Sequence, residues 1–421
     1  MQHVSNVPLS GIIPSIPAKA HAHRALIAAA LATSPSTIVI SHSSKDIDAT
    51  MDSLRALGAT ITYEHGVAHV IPNPAPNIGQ VLPHESGTTL RLLLPVSASI
   101  CDTVKVDAKG RLPERPLEPL LSEMNDHGVS FSQDAPPFTM TGRLQGGTFS
   151  MTGTVSSQFF SGLLLAAPQL GRTTVNCTSS LQSKDYVTLT IETMKDFGVH
   201  VTEGSTEDGH PSFTIEENQH FHGNEQYPIE GDWSNGAIWL VAAAMTGQSI
   251  SVTGLRPDSV QADKRILYIL EKSGITCTWN GTTVTVTGKA HQPIHVNLEQ
   301  MPDLLPILSS LACSIEGESA FINGARLRLK ESDRLEAVAQ LVRDSGGTVR
   351  MKGDNLYITG TGTLTGGTVD CVNDHRLVMA GALNALIATS PMILKDSEAI
   401  SKSYPHFFTD WKRLGGETHS I

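Results

Sequence analysis

The sequence predicts an α/β protein of two domains, each built from three copies of one repeat, and three observations carry that prediction. The chain has 421 residues, more than a single ordinary core accommodates. An amphipathic helix closing on glycine recurs six times at a period of roughly seventy residues, at Leu57-Gly58, His127-Gly128, Phe197-Gly198, Ser273-Gly274, Ser345-Gly346 and Leu414-Gly415. A second, more apolar helix lies in each interval, at 24–32, 90–98, 159–170, 237–245, 304–313 and 377–387.

Each element follows from local chemistry. The glycine ends the amphipathic helix, because a left-handed closing residue is cheapest without a Cβ. Two β-rich stretches come next, 60–63 and 68–71 in the first repeat or 348–351 and 356–359 in the fifth, with Gly, Asn or Asp in the turn between them. Helices and strands alternating at this rhythm make α/β units. A repeat of this size is a small fold in itself, which favours globular clusters of three over a solenoid. The apolar helices are hydrophobic nearly all round, so they are expected inside each domain with strands outside. The break is placed near Pro228–Asp232, after the polar run 216–226, while residues 1–17 precede the first helix and are free to pair with the far half. The expected domains are therefore 18–230 and 1–17 plus 231–421, joined near Pro17 and Gly231.

Bulk composition narrows the function. Forty percent hydrophobic and 17% charged residues describe a globular chain, and a net charge of −11 argues against nucleic acid or an anionic membrane as partner. Five separated cysteines without a CxxC pair read as reduced core thiols in a cytoplasmic protein, with no zinc site. Lys19, Arg24 and the apolar 25–32 imitate a secretory leader, but the same helix recurs five more times where no leader stands. There is no GxxxxGK[ST] and no Gly-x-Ser-x-Gly elbow, which removes the support for P-loop and hydrolase chemistry.

Polar residues gather where the apolar helices begin: Lys19 and Arg24, Glu85-Ser86-Gly87-Thr88, Ser156-Ser157-Gln158, Asp232–Asn235, Pro302-Asp303 and Asn373-Asp374-His375-Arg376. A helix start offers free N–H donors and partial positive charge, so converging starts suit a highly charged anion. The densest signal, Arg326-Leu-Arg-Leu-Lys330-Glu331-Ser332-Asp333-Arg334, precedes the fifth amphipathic helix. Ser332 is a candidate cap there, with acids in the first turn. A cap does not account for four cations opposing the helix dipole, whereas an anion between them does. Arg91 and Arg376 sit against apolar runs, where a guanidinium needs a phosphate or carboxylate partner. Asp303 is either an ordinary cap or, inside a cationic pocket, a general base of tunable pKa. His21 and His23, two residues apart without further ligands, make a weak metal pair.

With these residues assembled, the chain resembles the 5-enolpyruvylshikimate-3-phosphate synthases from end to end. The resemblance is carried by Lys19…His23-Arg24, Ser86-Gly87-Thr88…Arg91, Leu112-Pro-Glu-Arg115-Pro116, Val155–Phe159, Ser183-Lys-Asp-Tyr186, Glu230-Gly-Asp232, Pro302-Asp303, Lys330–Arg334, Asn373–Arg376 and Lys402-Ser-Tyr-Pro405. It implies a two-domain inverse α/β barrel, each domain three βαβαββ repeats around buried parallel helices, that closes on substrate as a monomer without metal or organic cofactor. The implied reaction moves the enolpyruvyl group of phosphoenolpyruvate to the 5-hydroxyl of shikimate 3-phosphate. Asp303, Glu331, Lys19 and His375 are the implied catalytic set. Lys19, Ala20, Arg24, Ser156, Ser157, Gln158, Ser183, Tyr186, Asp303 and Lys330 would hold shikimate 3-phosphate. Lys19, Gly87, Arg91, Arg115, Gln158, Arg334, Arg376 and Lys402 would hold phosphoenolpyruvate.

Departures from the family pattern carry their own expectations. The family's glycine-serine-lysine-serine segment reads Pro17-Ala18-Lys19-Ala20 here, and the missing hydroxyl at Ala20 is expected to weaken shikimate 3-phosphate binding. Glu85 replaces a common asparagine and is expected to pair with Arg91 or Lys19; Arg326 replaces another. Gly87 keeps the small residue that in the family also admits the inhibitor glyphosate. The related UDP-N-acetylglucosamine enolpyruvyl transferases share the fold but carry a reactive loop cysteine, for which Cys101 is the sole positional candidate. A non-catalytic protein binding phosphorylated metabolites is the reading from another class.

Overall fold

Residues 1–73 and 78–421 are described by the computed structural model. The chain folds into two compact units, one of Met1–Ile16 with Glu230–Ile421 and the other of Pro17–Ile229. Each repeat supplies one buried and one amphipathic helix. In the Pro17–Ile229 unit these are α1 (Lys19–Ala30) and α2 (Lys45–Ala56), α3 (Gly87–Ile100) and α4 (Leu120–Asp126), and α5 (Ser157–Ala166) and α6 (Lys184–Asp196). The other unit holds α7 (Trp233–Thr246) and α8 (Ile266–Lys272), α9 (Leu305–Cys313) and α10 (Arg334–Asp344), and α11 (His375–Ala385) and α12 (Phe407–Arg413).

Among the described residues six four-stranded sheets each set a parallel pair beside antiparallel strands; in the second, third and fifth repeats a buried helix bridges the parallel pair and an antiparallel hairpin follows whose second strand lies inside. In the second repeat, for example, Ile78–Val81 runs parallel to Thr103–Val106, which pairs with Phe138–Thr141 and through it with Ser130–Phe131. The first repeat lacks its own opening strand and takes Tyr227–Pro228 instead. The fourth takes Gly11–Pro14, and the sixth receives Gln2–Val4 between Met392–Lys395 and Thr418–Ser420. The opening residues thus finish two sheets of the unit whose bulk lies more than 200 residues away.

All six closing glycines have positive φ, between +86° and +109°, where an L-residue is strained. Their apolar partners are buried on every side; from Ala237 to Met245 of α7 no residue is more than 1% exposed. Each unit has its own hydrophobic cluster, with the three buried helices in contact and the sheets packed around them. No helix among the described residues is long and apolar enough to cross a membrane.

Candidate active site

In the Pro17–Ile229 unit one ion pair accompanies helix starts organised largely by hydroxyls and carbonyls. Lys19 opens α1, and its Nζ lies 2.6 Å from Asp46 Oδ2 in the first turn of α2. One turn on, Arg24 is buried with four neutral partners. Its Nε donates to Thr190 Oγ1 at 2.7 Å, Nη1 to the Ala20 carbonyl at 2.6 Å, and Nη2 to the Tyr186 carbonyl at 3.0 Å and Ser161 Oγ at 3.3 Å. Burial pushes its pKa down to about 10, with Tyr186 opposing. The two histidines are turned to different partners: His21 Nε2 meets Tyr227 Oη at 2.8 Å, and His23 Nδ1 meets Thr50 Oγ1 at 2.6 Å. Among the described residues no group of three His, Cys, Asp or Glu could hold a metal.

Ser86 caps α3 by accepting from the Thr89 N–H. A Cβ on Gly87 would stand 2.6 Å from Arg115 Nη1, so the missing side chain is what lets that guanidinium lie against the helix start. Arg91 ties neighbouring segments together, donating to Gln158 Oε1 at 3.1 Å and the Pro116 carbonyl at 3.2 Å, with its charge over the Phe159 ring. Gln158 Nε2 donates in turn to Thr88 Oγ1 at 2.8 Å. Ser156 caps α5 and Ser157 begins it, both buried. Ser183, before α6, is buried in the left-handed region (φ +54°, ψ +42°), a strained conformation for a residue with a Cβ. Glu85 packs beside Gly110, and Lys19 pairs with Asp46, an acid the sequence did not single out.

The other unit is organised by full charges. Asp303 lies in the 3-10 turn Pro302–Leu304 rather than at a helix cap. Its Oδ1 is 2.7 Å from Arg334 Nη1 and 3.2 Å from Lys330 Nζ, and its Oδ2 is 3.5 Å from Arg376 Nη2. Burial alone would raise its pKa, but Lys330, Arg376 and Arg334 together hold it well below the usual carboxylate range. Arg334, 1% exposed, also donates to Glu331 Oε2 at 2.6 Å and to Asp374 Oδ2 at 2.9 Å, so three carboxylates surround one guanidinium. Burial works against that charge, yet the three acids raise its pKa further. Lys330 shows the opposite balance: desolvation, reinforced by Arg334 and Arg326, brings its ammonium down to about 8 despite Asp303.

Two expectations for this segment are corrected. Asp333, not Ser332, caps α10, accepting from the Glu336 N–H, and Ser332 Oγ donates instead to Asp374 Oδ2 at 3.1 Å. Arg328 bridges Asp333 and Asp354, each at 2.9 Å, so a local loop pairing explains it without an anion. Asp374 caps α11, with His375 buried beside it and Arg376 next in line. The two residues before this cap, Val372 and Asn373, both have positive φ (+42° and +55°). A β-branched residue there is a marked outlier, and the bend presents the Asn373 carbonyl to Lys402 Nζ at 2.7 Å. The ion pairs of Asp303, Arg334, Asp374 and Arg376 place the starts of α9, α10 and α11 side by side.

Sequence reasoning passed over Asp46 and Asp263. Asp263 is buried in the 3-10 turn Ala262–Arg265 before α8, accepts from Ser234 Oγ, and has no hydrogen-bond partner at Oδ1 among the described residues. Desolvation and the nearby charge of Asp303 push its carboxyl up to about 6, with Arg376 opposing. The signal that finds both acids is the repeat itself. Arg115, Ser183, Glu331, Arg334 and Lys402 all lie at or just before the start of an amphipathic helix, the register that Asp46 and Asp263 occupy in the first and fourth repeats.

Cys101 is wholly buried, and desolvation pushes its thiol up to about 11, far from the lowered pKa of a reactive cysteine.

The comparisons with known proteins agree with this architecture. The sequence model of EPSP synthase (3-phosphoshikimate 1-carboxyvinyltransferase) matches residues 4–411. Proteins named 3-phosphoshikimate 1-carboxyvinyltransferase are 36% identical in Clostridium kluyveri, covering 99% of this chain and 98% of the relative, and 37% in Clostridium acetobutylicum, covering 98% and 96%. One from Methanocorpusculum labreanum is 35% identical, covering 98% of each chain. Among solved structures, EPSP synthase of Acinetobacter baumannii superposes with a TM-score of 0.80 over 100% of this chain and 99% of that one, at 20% identity, a likeness of fold. Family match, full-length relatives and shared architecture lead to one conclusion: this chain belongs to the EPSP synthase family of 3-phosphoshikimate 1-carboxyvinyltransferases and is an enolpyruvyl-transferring enzyme.

Proposed function

We propose that this enzyme adds the 5-hydroxyl of shikimate 3-phosphate to C2 of phosphoenolpyruvate while C3 gains a proton, giving a tetrahedral intermediate. Loss of phosphate and of a C3 proton then leaves the enol ether, a step toward chorismate and the aromatic amino acids. The observation that supports the residue roles is the Asp303 carboxylate held by Lys330, Arg334 and Arg376. With all three cations on it, Asp303 is a poor base. An incoming phosphate and carboxylate that draw Arg376 and Lys330 away raise its basicity when the 5-hydroxyl must lose a proton. Glu331 and Lys19 are proposed to handle the C3 proton, with His375 close to Asp374. Arg24, Ser156, Ser157, Ser183 and Tyr186 are assigned to shikimate 3-phosphate, and Gly87, Arg115, Gln158, Arg334, Arg376 and Lys402 to phosphoenolpyruvate. Arg91, which donates to Gln158 and the Pro116 carbonyl, is assigned to holding those segments for the ligand.

Phosphate release from phosphoenolpyruvate tests the reading, with shikimate 3-phosphate or UDP-N-acetylglucosamine as acceptor and Asp303→Ala as control. Release with shikimate 3-phosphate alone, lost in the control, supports it; equal release with the nucleotide sugar, or an active control, overturns it. We also infer a cytoplasmic monomer hinged near Pro17 and Gly231. The five free thiols suit a reducing compartment, and light scattering should return one species of 44.9 kDa.

A further inference from the structure

Three of the helix starts in the Pro17–Ile229 unit are joined by a buried chain of hydroxyls that the reaction scheme does not use. His23 Nδ1 lies 2.6 Å from Thr50 Oγ1, which lies 2.7 Å from Thr89 Oγ1, which donates to Ser86 Oγ at 2.8 Å and approaches the Asp46 carbonyl at 3.4 Å. Thr50, Thr89 and His23 are all 0% exposed. Ser86 is the cap of α3, one residue before Gly87, and the carboxylate of Asp46 holds Lys19. Thr89 is therefore the node at which two segments assigned to phosphoenolpyruvate meet.

The chain has a direction. Burial, then the fields of Lys19 and Arg24, keep the His23 imidazole neutral, so it carries one ring proton. Its Nε2 has no hydrogen-bond partner among the described residues. A proton there would be a buried donor without an acceptor, costlier than a bare lone pair, so the proton sits on Nδ1 and is given to Thr50. Thr50 then donates its hydroxyl hydrogen to a bond with Thr89 Oγ1, and Thr89 donates its own to Ser86 Oγ or the Asp46 carbonyl. Every hydroxyl is ordered by the one before it, and such chains reinforce each bond.

We propose that Thr50 and Thr89 are positioning residues for phosphoenolpyruvate, locking the Lys19–Asp46 pair and the first turn of α3 to one buried anchor at His23. The proposal rests on the assignment of Lys19 and Gly87 to that substrate. Neither threonine touches the ligand; each fixes what does, and a preorganised anion cradle binds without first ordering its donors.

The test is steady-state kinetics with phosphoenolpyruvate varied and shikimate 3-phosphate saturating. Thr89→Val keeps the shape and removes the hydroxyl; its KM for phosphoenolpyruvate should rise about tenfold with a smaller fall in kcat, as for a lost hydrogen bond that orients binding groups. Thr89→Ser restores the hydroxyl and should lie within about twofold of the unaltered enzyme, and Thr50→Val should raise KM by about three- to fivefold. A merely structural role would lower Tm in the valine variants and leave KM for phosphoenolpyruvate in place, which overturns the proposal, as does failure of serine to restore it. Should Thr89→Val not fold, Thr50→Val decides by the same measurement. Lys19→Ala separates the two layers: an unchanged KM there overturns the substrate assignment itself, whereas a raised KM there with a normal one in Thr89→Val overturns the positioning role alone.

Discussion

The same repeat has built two different kinds of helix-start cluster. In the Pro17–Ile229 unit the principal buried guanidinium, Arg24, is satisfied by two carbonyls and two hydroxyls. In the other unit Arg334 has the same near-total burial but faces three carboxylates. Neutral partners leave the Arg24 charge uncompensated, a standing attraction for an anion. Carboxylates compensate Arg334 in advance, so an anion must compete for it, and the reward is a set of perturbed acids and bases next to the contested charge. One cluster suits binding and the other suits proton transfer. Identical backbone placement therefore fixes where a site is and leaves its chemistry to a few side chains.

The largest expected effect tests that contrast through stability. Arg334→Met strands three acids in a buried setting and should cost about 3–5 kcal/mol in urea unfolding, the range for breaking a buried pair. Arg24→Met leaves only neutral groups unsatisfied and should cost about 1–3 kcal/mol. If Arg24→Met costs as much as Arg334→Met, the distinction drawn here is false.

Titration sharpens it. The charged unit should set the basic limb of the pH profile: with Lys330 at about 8, kcat/KM should fall toward tenfold per pH unit above that value if its charge is needed. Lys330→Arg, which stays protonated, should move the limb upward. Stability runs the other way, because the folded pKa lies below the unfolded one near 10.5. Between about 8 and 10.5 the unfolded chain binds more protons, so rising pH favours the fold.

Asp263 gives a third, smaller contrast. Its folded pKa of about 6 exceeds its unfolded 3.8, so the folded state binds more protons between them and loses stability as pH rises through that window. Asp263→Asn can still accept from Ser234 and should be stabilised relative to the unaltered protein at pH 8, on the order of 1–3 kcal/mol, with the difference vanishing near pH 3. A melting difference that does not change with pH would mean that the acid is only a packing group.

The smallest expected effect belongs to the neutral unit. Gly87→Ala places a Cβ 2.6 Å from Arg115 Nη1, the far end of a long side chain, which can shift. Tm should change little, while KM for phosphoenolpyruvate rises by roughly three- to tenfold through displacement of Arg115. A fall in Tm without a change in KM would place Arg115 outside the binding set.

How much of this was legible beforehand follows the range of each interaction. The six glycines, the apolar helices between them and the hairpins were readable, because helix periodicity, positive-φ closure and turn chemistry depend on neighbours three or four residues away. Lys330, Glu331, Arg334 and Arg376 stood out because charges beside apolar runs demand partners. Asp46 and Asp263 did not, since an acid in the first turn of a helix is ordinary in sequence. The choice of Asp333 over Ser332 as cap also escaped it, both being good caps.

By itself, then, the sequence determined the repeat, its two kinds of helix and the positions at which polar groups collect, all consequences of local pattern. Only the tertiary structure decided that Arg334 meets Asp303 and Asp374, 31 and 40 positions away, that Thr89 joins Ser86 to Thr50, and that Gln2–Val4 completes the sixth sheet. Those choices are made by which helix starts and strand edges the packed core sets side by side, and by the desolvation that makes each buried charge or hydroxyl find a partner there.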